Sequence, residues 1–366
     1  VIETGSLRRT DFFLLSLLVI LSLVGIVVLR GGTQGQPYLE PQAVRQTAWL
    51  CVGLIVFFAA LLVDYHHWET IAIGLYSIHL VMLGYLLAAG RSVKGARSWV
   101  DLGLMNWQPS ETMKIAVVVI LARILASRPD PPRTVRALLL PLGVTLLPAL
   151  LVLAQPDLGS ATIYFAILFG LLYWAGVSRR LLISGILAAG LLAAGSYPFL
   201  KPYQKDRILI FLNPGSDPLG SGYNLVQSKI ALGSGQWMGK GWGQGTQTNM
   251  EFLPEHHSDF IFASLGEQFG LLGCLAVLGI YALIAWRGLG VVALARDPVG
   301  ALIAGGMMSI FLAHLAINLG MVFGFLPVTG LPLPFFSAGG SALVTNFLLF
   351  GLVVNVGMRR FVFHGG

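Results

Sequence analysis

Ten apolar stretches, each near the length of a bilayer-spanning helix, run through this 366-residue chain. A hydrocarbon core about 30 Å thick needs roughly 20 apolar residues per helix. The stretches fall at about 12–29, 46–63, 69–89, 109–127, 135–154, 159–177, 180–200, 259–286, 298–325 and 339–358. Lipid offers the backbone no hydrogen bonds, so such stretches must be helical. The expectation is an all-α, polytopic integral membrane protein with about ten transmembrane helices. One long polar segment, about 201–258, separates the seventh stretch from the eighth. No soluble domain is appended, so residues 1–366 read as a single transmembrane domain with that segment as its large loop.

Composition supports lipid as the main solvent. Only 11% of residues are charged, against about 25% in a typical soluble domain, and the mean hydropathy is +0.79. The formal net charge of +7 suits anionic headgroups or phosphates. Nucleic acid is not expected as a partner, because no polar domain is large enough to hold it. Cys51 and Cys274 both fall inside apolar stretches and read as packing residues, not a disulfide. The first stretch is too long for a signal-peptide core and no small-residue cleavage site follows it, so no cleavable signal is expected. The 45 glycines, many inside the stretches, suit close helix approach in a bundle.

Short loops set the orientation. With the N-terminus in the cytoplasm, the inner side carries Arg8, Arg9, Arg123, Arg128, Arg133, Arg136, Arg179, Arg180, Arg287, Arg296, Arg359 and Arg360. Both termini are then cytoplasmic and the 201–258 loop faces outward. The outer side still holds Arg30, Arg45, Arg91, Lys94, Arg97, Lys201, Lys205, Arg207, Lys229 and Lys240. Positive charge outside opposes the insertion rule. Any one of these lysines reads most simply as a solvated loop charge. The cluster of Arg91, Lys94 and Arg97 beside Lys201, Lys205 and Arg207 points instead to a phosphate-bearing substrate.

The loop ends in Leu253-Pro-Glu-His-His-Ser-Asp-Phe260 as the eighth stretch begins. A carboxylate where a watery loop enters lipid is costly to keep. Asp259 in the first turn of a helix, with Ser258 as N-cap, has a purely structural reading. Glu255, His256 and His257 crowd the same entrance and favour chemistry. General-base work needs one carboxylate within hydrogen-bond reach of a hydroxyl. The helix dipole would lower its pKa and partial burial would raise it.

Glu111 and Lys114 are three apart on the fourth span, hence on one face, and are expected to pair. That pair reads equally well as packing or as function. Glu267, Gln268, His79, His314 and Asn318 are further intramembrane polar groups, read as interhelical hydrogen-bonders. The run Gly233 to Gln247 has the composition of a phosphate cradle but lacks the Walker spacing. Its glycines can equally be there for turns. Leu326 to Gly340 holds three prolines and three glycines, so it is expected to fold back at the interface as a cavity wall. No His/Cys/Asp spacing reads as a zinc site.

Six stretches together resemble the SEDS family, the shape, elongation, division and sporulation proteins. They are Lys94-Gly-Ala-Arg-Ser-Trp99, Gln108-Pro-Ser-Glu-Thr-Met-Lys114, Gln155-Pro-Asp-Leu-Gly159, Gly233 to Gln247, Phe252 to Phe262, and Asn318 to Gly340. They cover both halves of the chain in order. Lys240-Gly-Trp-Gly-Gln-Gly-Thr-Gln247 and the Phe-Leu-Pro-Glu before the aspartate resemble the elongation branch more than the division branch. The chain departs from the family at Ser337-Ala-Gly-Gly-Ser-Ala342, where a Tyr and a final Ser are common. It also has His257-Ser258-Asp259 where His-Thr-Asp is common.

The resemblance implies ten membrane helices in the bacterial inner membrane and peptidoglycan glycosyltransferase activity on lipid II. The family's essential loop aspartate falls on Asp259, and its fourth-helix Glu and Lys on Glu111 and Lys114. Arg97, Lys94, Lys205 and Arg207, with Lys229 and Lys240 behind them, are the candidates to stabilise the departing pyrophosphate. A divalent cation, Mg or Mn, is an alternative source of that charge. Expected partners are a class B penicillin-binding transpeptidase, other elongation-complex proteins and membrane lipids. Two other readings stay open. A lipid II flippase would move labelled lipid II across vesicles without making glycan. A scaffold without chemistry would leave lipid II untouched as an isolated chain.

Overall fold

The computed structural model describes residues 9–32, 40–93, 96–101, 103, 106–200, 202–213, 221–249 and 257–360. Ten helices correspond to the ten apolar stretches. They are α1 (Phe12–Gly32), α2 (Glu40–Leu62), α3 (Tyr65–Ala89), α4 (Pro109–Ala126), α5 (Val135–Ala154), α6 (Leu158–Trp174), α7 (Arg179–Gly195), α11 (Ile261–Ala293), α12 (Pro298–Phe323) and α13 (Gly340–Arg359). Seven of them are long and apolar enough to cross a bilayer on those grounds alone. The other three are α4, which carries Glu111, Lys114 and Arg123, and the shorter α6 and α7.

Two parts depart from ten spans joined by loops. A small antiparallel ribbon, β1 (Arg91–Val93), β2 (Ala96–Asp101) and β3 (Asn106–Trp107), joins α3 to α4. The 201–258 segment carries helices of its own: α8 (Pro202–Leu212), α9 (Ser221–Ser234) and the single turn α10 (Thr246–Asn249).

The core is formed by α4, α12 and α13, whose side chains are mostly buried. α13 packs along α2, α12 along α6 and α4, and α11 along α1, α9 and α12. α7 touches mainly α6 and buries only Leu182. α5 contains Pro141 and Pro148. Pro148 has no N–H for the Val144 carbonyl four residues before it, and the Tyr76 hydroxyl donates to that carbonyl instead at 2.8 Å.

Thr10 and Met358 meet at one end of the bundle, where the Thr10 hydroxyl donates to Met358 Sδ at 3.4 Å. Polar ties close that end. Asn355 Nδ2 donates to the Ala60 and Val63 carbonyls at 2.6 and 2.7 Å. Arg359 Nε lies 2.9 Å from Asp64 Oδ2. Asp64 caps α3 through the His66 N–H, and Asp297 caps α12 while accepting from the Tyr65 hydroxyl. Burial alone would raise the Asp64 pKa. The His66 N–H and ring and the Arg359 guanidinium outweigh it and hold the carboxyl below the ordinary 3.8. The loop helices and the segment 324–339 lie at the opposite end.

α11 is broken. Gly270 sits at φ 64°, ψ −163°, a region that only glycine occupies comfortably. Residues 261–269 form a short half-helix, and residues 271–293, about 34 Å long, can span the membrane unaided. The break frees four backbone groups, and the glycine loop meets each of them. The Leu271 and Leu272 N–H groups donate to the Gln236 and Trp237 carbonyls at 2.8 and 3.2 Å. The Glu267 and Gln268 carbonyls accept from the Lys240 and Gly241 N–H groups at 2.9 and 3.1 Å. Glycine is needed for so close a fit: a Cβ on Gly235 would stand 1.8 Å from the Gly266 carbonyl oxygen.

Candidate active site

Asp259 lies in the turn 257–260, partly exposed, immediately ahead of α11. The helix begins later than the sequence suggests. Its N-cap is Phe260, which makes no side-chain cap bond, so Ser258 does not cap it. The turn is held by its carbonyls. The Ala338 N–H donates to the His257 carbonyl at 3.0 Å. The Ser337 hydroxyl donates to the Ser258 carbonyl at 2.6 Å. Asn318 Nδ2 donates to the Asp259 carbonyl at 3.0 Å. Three consecutive carbonyls are thus fixed, and Asp259 itself stays partly exposed.

The segment 324–339 supplies two of these donors and is itself anchored. Gln46 Nε2 donates to the Ser337 carbonyl, and Gln46 Oε1 accepts from the Gly339 N–H, both at 3.0 Å. The Tyr281 hydroxyl donates to the Pro334 carbonyl at 2.7 Å. Phe335 meets Phe347 and Phe350 edge-on at 5.1 and 5.4 Å. The segment is unhelical, and its part from Leu331 to Ser337 is mostly buried and folded against protein, as backbone without helical bonds requires. Gly330 faces the carboxylate, and a Cβ there would lie 3.5 Å from Asp259 Oδ2.

Below the turn runs a buried polar chain. Lys114 Nζ lies 2.7 Å from Glu111 Oε1 and 2.9 Å from His314 Nε2. The ammonium is a donor only, so His314 Nε2 must accept and the ring proton must sit on Nδ1. The ring also lies near the backbone carbonyl of Pro332. Nearby, Asp157 caps α6 through the Ser160 N–H and accepts from Gln108 Nε2 at 2.8 Å.

The basic candidates do not share one place. Lys240 Nζ lies 2.8 Å from Glu267 Oε1, and the Glu267 side chain is fully buried. Lys229 Nζ stands against Gly324, the C-cap of α12, where the negative end of the helix dipole favours a cation. Lys205 Nζ donates to the Pro198 carbonyl at 3.1 Å and lies 5.7 Å from the centre of the Tyr197 ring. Arg207 is partly exposed on α8 beside it. Lys94, Lys201, Glu255 and His256 lie outside the described residues, and so do the side chains of Arg91 and Arg97, which belong to β1 and β2.

The Lys240 and Gly241 N–H groups are spent on α11, so the glycine run acts here as a splint and not as an anion cradle. Among the described residues no three His, Cys, Asp or Glu side chains converge as metal ligands. Sequence reasoning gave Asn318 and His314 no place at the site and did not single out Gln46 or Ser337. The signal available was an amide or hydroxyl inside apolar sequence, which marks a hydrogen-bonder without naming its partner.

Comparison with known proteins agrees with this architecture. The family model for FtsW, RodA and SpoVE, described as cell cycle protein, matches residues 8–361. The peptidoglycan glycosyltransferase MrdB of Escherichia coli (strain K12) is 39% identical over 348 residues, covering 95% of this chain and 93% of MrdB. The peptidoglycan glycosyltransferase RodA of Treponema pallidum is 31% identical, covering 96% of this chain and 98% of that protein. A chain from a solved structure of a peptidoglycan synthase complex, described as coordinating polymerization and crosslinking, superposes with TM-score 0.83. It is 31% identical and covers 96% of this chain and 98% of its own length. The crystal structure of Thermus thermophilus RodA superposes with TM-score 0.73 at 27% identity, covering 97% and 98% of the two chains. This chain is a multi-pass membrane protein of the SEDS family, the FtsW, RodA and SpoVE group of cell cycle proteins.

Proposed function

We infer that this chain is a peptidoglycan glycosyltransferase of the elongation type, polymerising lipid II into glycan strands that set cell shape. The observation that carries the mechanism is the tethered turn: three fixed carbonyls present one partly exposed carboxylate at the mouth of the bundle. Asp259 takes the proton from the acceptor sugar hydroxyl. That oxygen forms a bond to the donor anomeric carbon. The bond from that carbon to the pyrophosphate oxygen breaks, and its electron pair leaves with undecaprenyl pyrophosphate. An α-linked donor and a β-linked product make this a one-step inversion, which needs one base and no covalent intermediate.

Negative charge grows on the leaving group and needs fixed cations. Arg97, Lys94, Lys205 and Arg207 are the first candidates, with Lys229 and Lys240 behind them. The last two also hold structure, Lys240 through Glu267 and Lys229 at the end of α12. The reaction is placed on the outer face of the bacterial cytoplasmic membrane, with both termini inside. The contact of Thr10 with Met358 at the end opposite the loop helices supports that placement. The expected partner is a class B penicillin-binding transpeptidase, in keeping with the synthase complex that contains a structural neighbour.

The test is purified protein on labelled lipid II in micelles and in vesicles. Glycan strands should form with one undecaprenyl pyrophosphate released per bond. Movement of lipid II across vesicles with no strand formed would overturn the reading.

A further inference from the structure

One side chain joins the Asp259 turn to the wall opposite it. Asn318 is fully buried on α12. Its Nδ2 donates to the Asp259 carbonyl at 3.0 Å and to the Leu331 carbonyl at 2.8 Å. Both amide hydrogens are thereby used. The opposite flip would press Oδ1 against two carbonyl oxygens, so the orientation follows from the chemistry of the partners. Leu331 adjoins Gly330, the residue that faces the carboxylate. A single amide therefore sets the distance between the Asp259 turn and the segment that walls it.

The same segment is gripped one turn further along α12. His314 precedes Asn318 by four residues, so the two share a helix face. His314 lies against the Pro332 carbonyl, next to the carbonyl that Asn318 holds. Lys114 orders His314, and Glu111 orders Lys114. Among the described residues Asn318 Oδ1 has no hydrogen-bond partner.

We propose that Asn318 is a positioning residue for the glycosyl transfer, fixing the Asp259 carboxylate against the 330–332 wall, with Lys114 supporting that wall through His314. This rests on the reading of Asp259 as the base. The role differs from general packing, because it acts on the geometry of one turn.

The test compares Asn318→Ala and the milder Asn318→Ser with Asn355→Ala. Asn355 is equally buried and likewise holds two carbonyls, at the far end of the bundle. Steady-state polymerisation of lipid II, thermal stability and the pH profile of kcat are measured for each full-length protein. Asn318→Ala should lower kcat at least 30-fold, with KM within about threefold and a shifted acid limb. Asn318→Ser should lie between it and the parent. Asn355→Ala should keep kcat within threefold at a similar loss of Tm. Adding Asn318→Ala to Asp259→Asn should cost little more, because residues that act as a unit are not additive. If Asn318→Ala or Asn318→Ser lowers kcat no more than Asn355→Ala does, while Asp259→Asn is inactive, the positioning role is wrong and the base survives. If Asp259→Asn polymerises at the parent rate, the base reading itself has failed.

Discussion

Lys240 and Glu267 lie 2.8 Å apart, and the Glu267 carboxylate has no exposed surface. The same oxygen accepts from the Gln247 N–H at 2.9 Å. The lysine from the loop and the glutamate from α11 fasten the splint to the broken helix. Removing one partner of a buried pair leaves a stranded charge and costs about 3–5 kcal/mol. Lys240→Ala should therefore lower Tm clearly, and Lys240→Met with Glu267→Leu should recover much of the loss. Thermal unfolding in detergent reads both. A Lys240→Ala protein as stable as the parent would free this lysine for substrate binding alone.

The break itself gives a second prediction. A Cβ on Gly270 would stand 2.4 Å from the Gly239 nitrogen, at backbone angles that other residues avoid. The strain alone is worth about 1–3 kcal/mol, and the clash is with backbone that cannot move aside. Gly270→Ala should fold poorly. Gly279→Ala, nine residues on in the same helix with open space around it, should fold normally and be slightly more stable. Yield of monodisperse protein on size exclusion distinguishes them.

Asp64 supplies a pH dependence at the end of the bundle where Thr10 meets Met358. Its folded pKa lies below the ordinary 3.8. A depressed carboxyl pKa stabilises the fold above the unfolded value, and the gain is lost as pH falls through the folded value. Asp64→Asn keeps an acceptor for the His66 N–H but loses the charge that faces Arg359. The variant should melt below the parent at pH 7, and the gap should close as pH drops under 4. A gap that persists unchanged at pH 3 would contradict the charge argument.

Among the basic residues, Lys205 and Arg207 sit on a loop helix with no deeply buried carboxylate to hold. Lys205→Ala with Arg207→Ala should leave Tm within a degree or two while polymerisation falls at least tenfold. Full activity in that double variant would remove α8 from the pyrophosphate site.

Most of the membrane architecture was legible in the sequence, because a span long enough for lipid has one regular backbone solution. α12, expected at 298–325 and found at Pro298–Phe323, shows how sharply the apolar run marks a helix. What escaped were features set by tertiary partners. The break at Gly270 lies inside the eighth apolar stretch with no proline to mark it, and loop residues 236–241 sustain it by satisfying freed backbone groups. The loop helices α8 and α9 have mixed composition; α9 packs on α11 and α12, and α8 packs on α9. The first turn of α11 looked like Ser258 capping Asp259, yet the turn is pinned from residues 318, 337 and 338, 59 or more positions away. Asp259 stood out from its motif as a candidate, whereas the residues that fix its turn did not, because hydrogen bonds to backbone carbonyls leave little imprint on sequence.

The most direct measurement is the single-turnover rate of lipid II polymerisation by Asp259→Asn, with Asp259→Glu beside it. Loss of a positioned base removes roughly 10²–10⁴ in rate, so Asp259→Asn should form no detectable strand while folding and melting as the parent does. Asp259→Glu should retain a small fraction of the rate. An Asp259→Asn protein that builds strands at the parent rate would contradict the account at its centre.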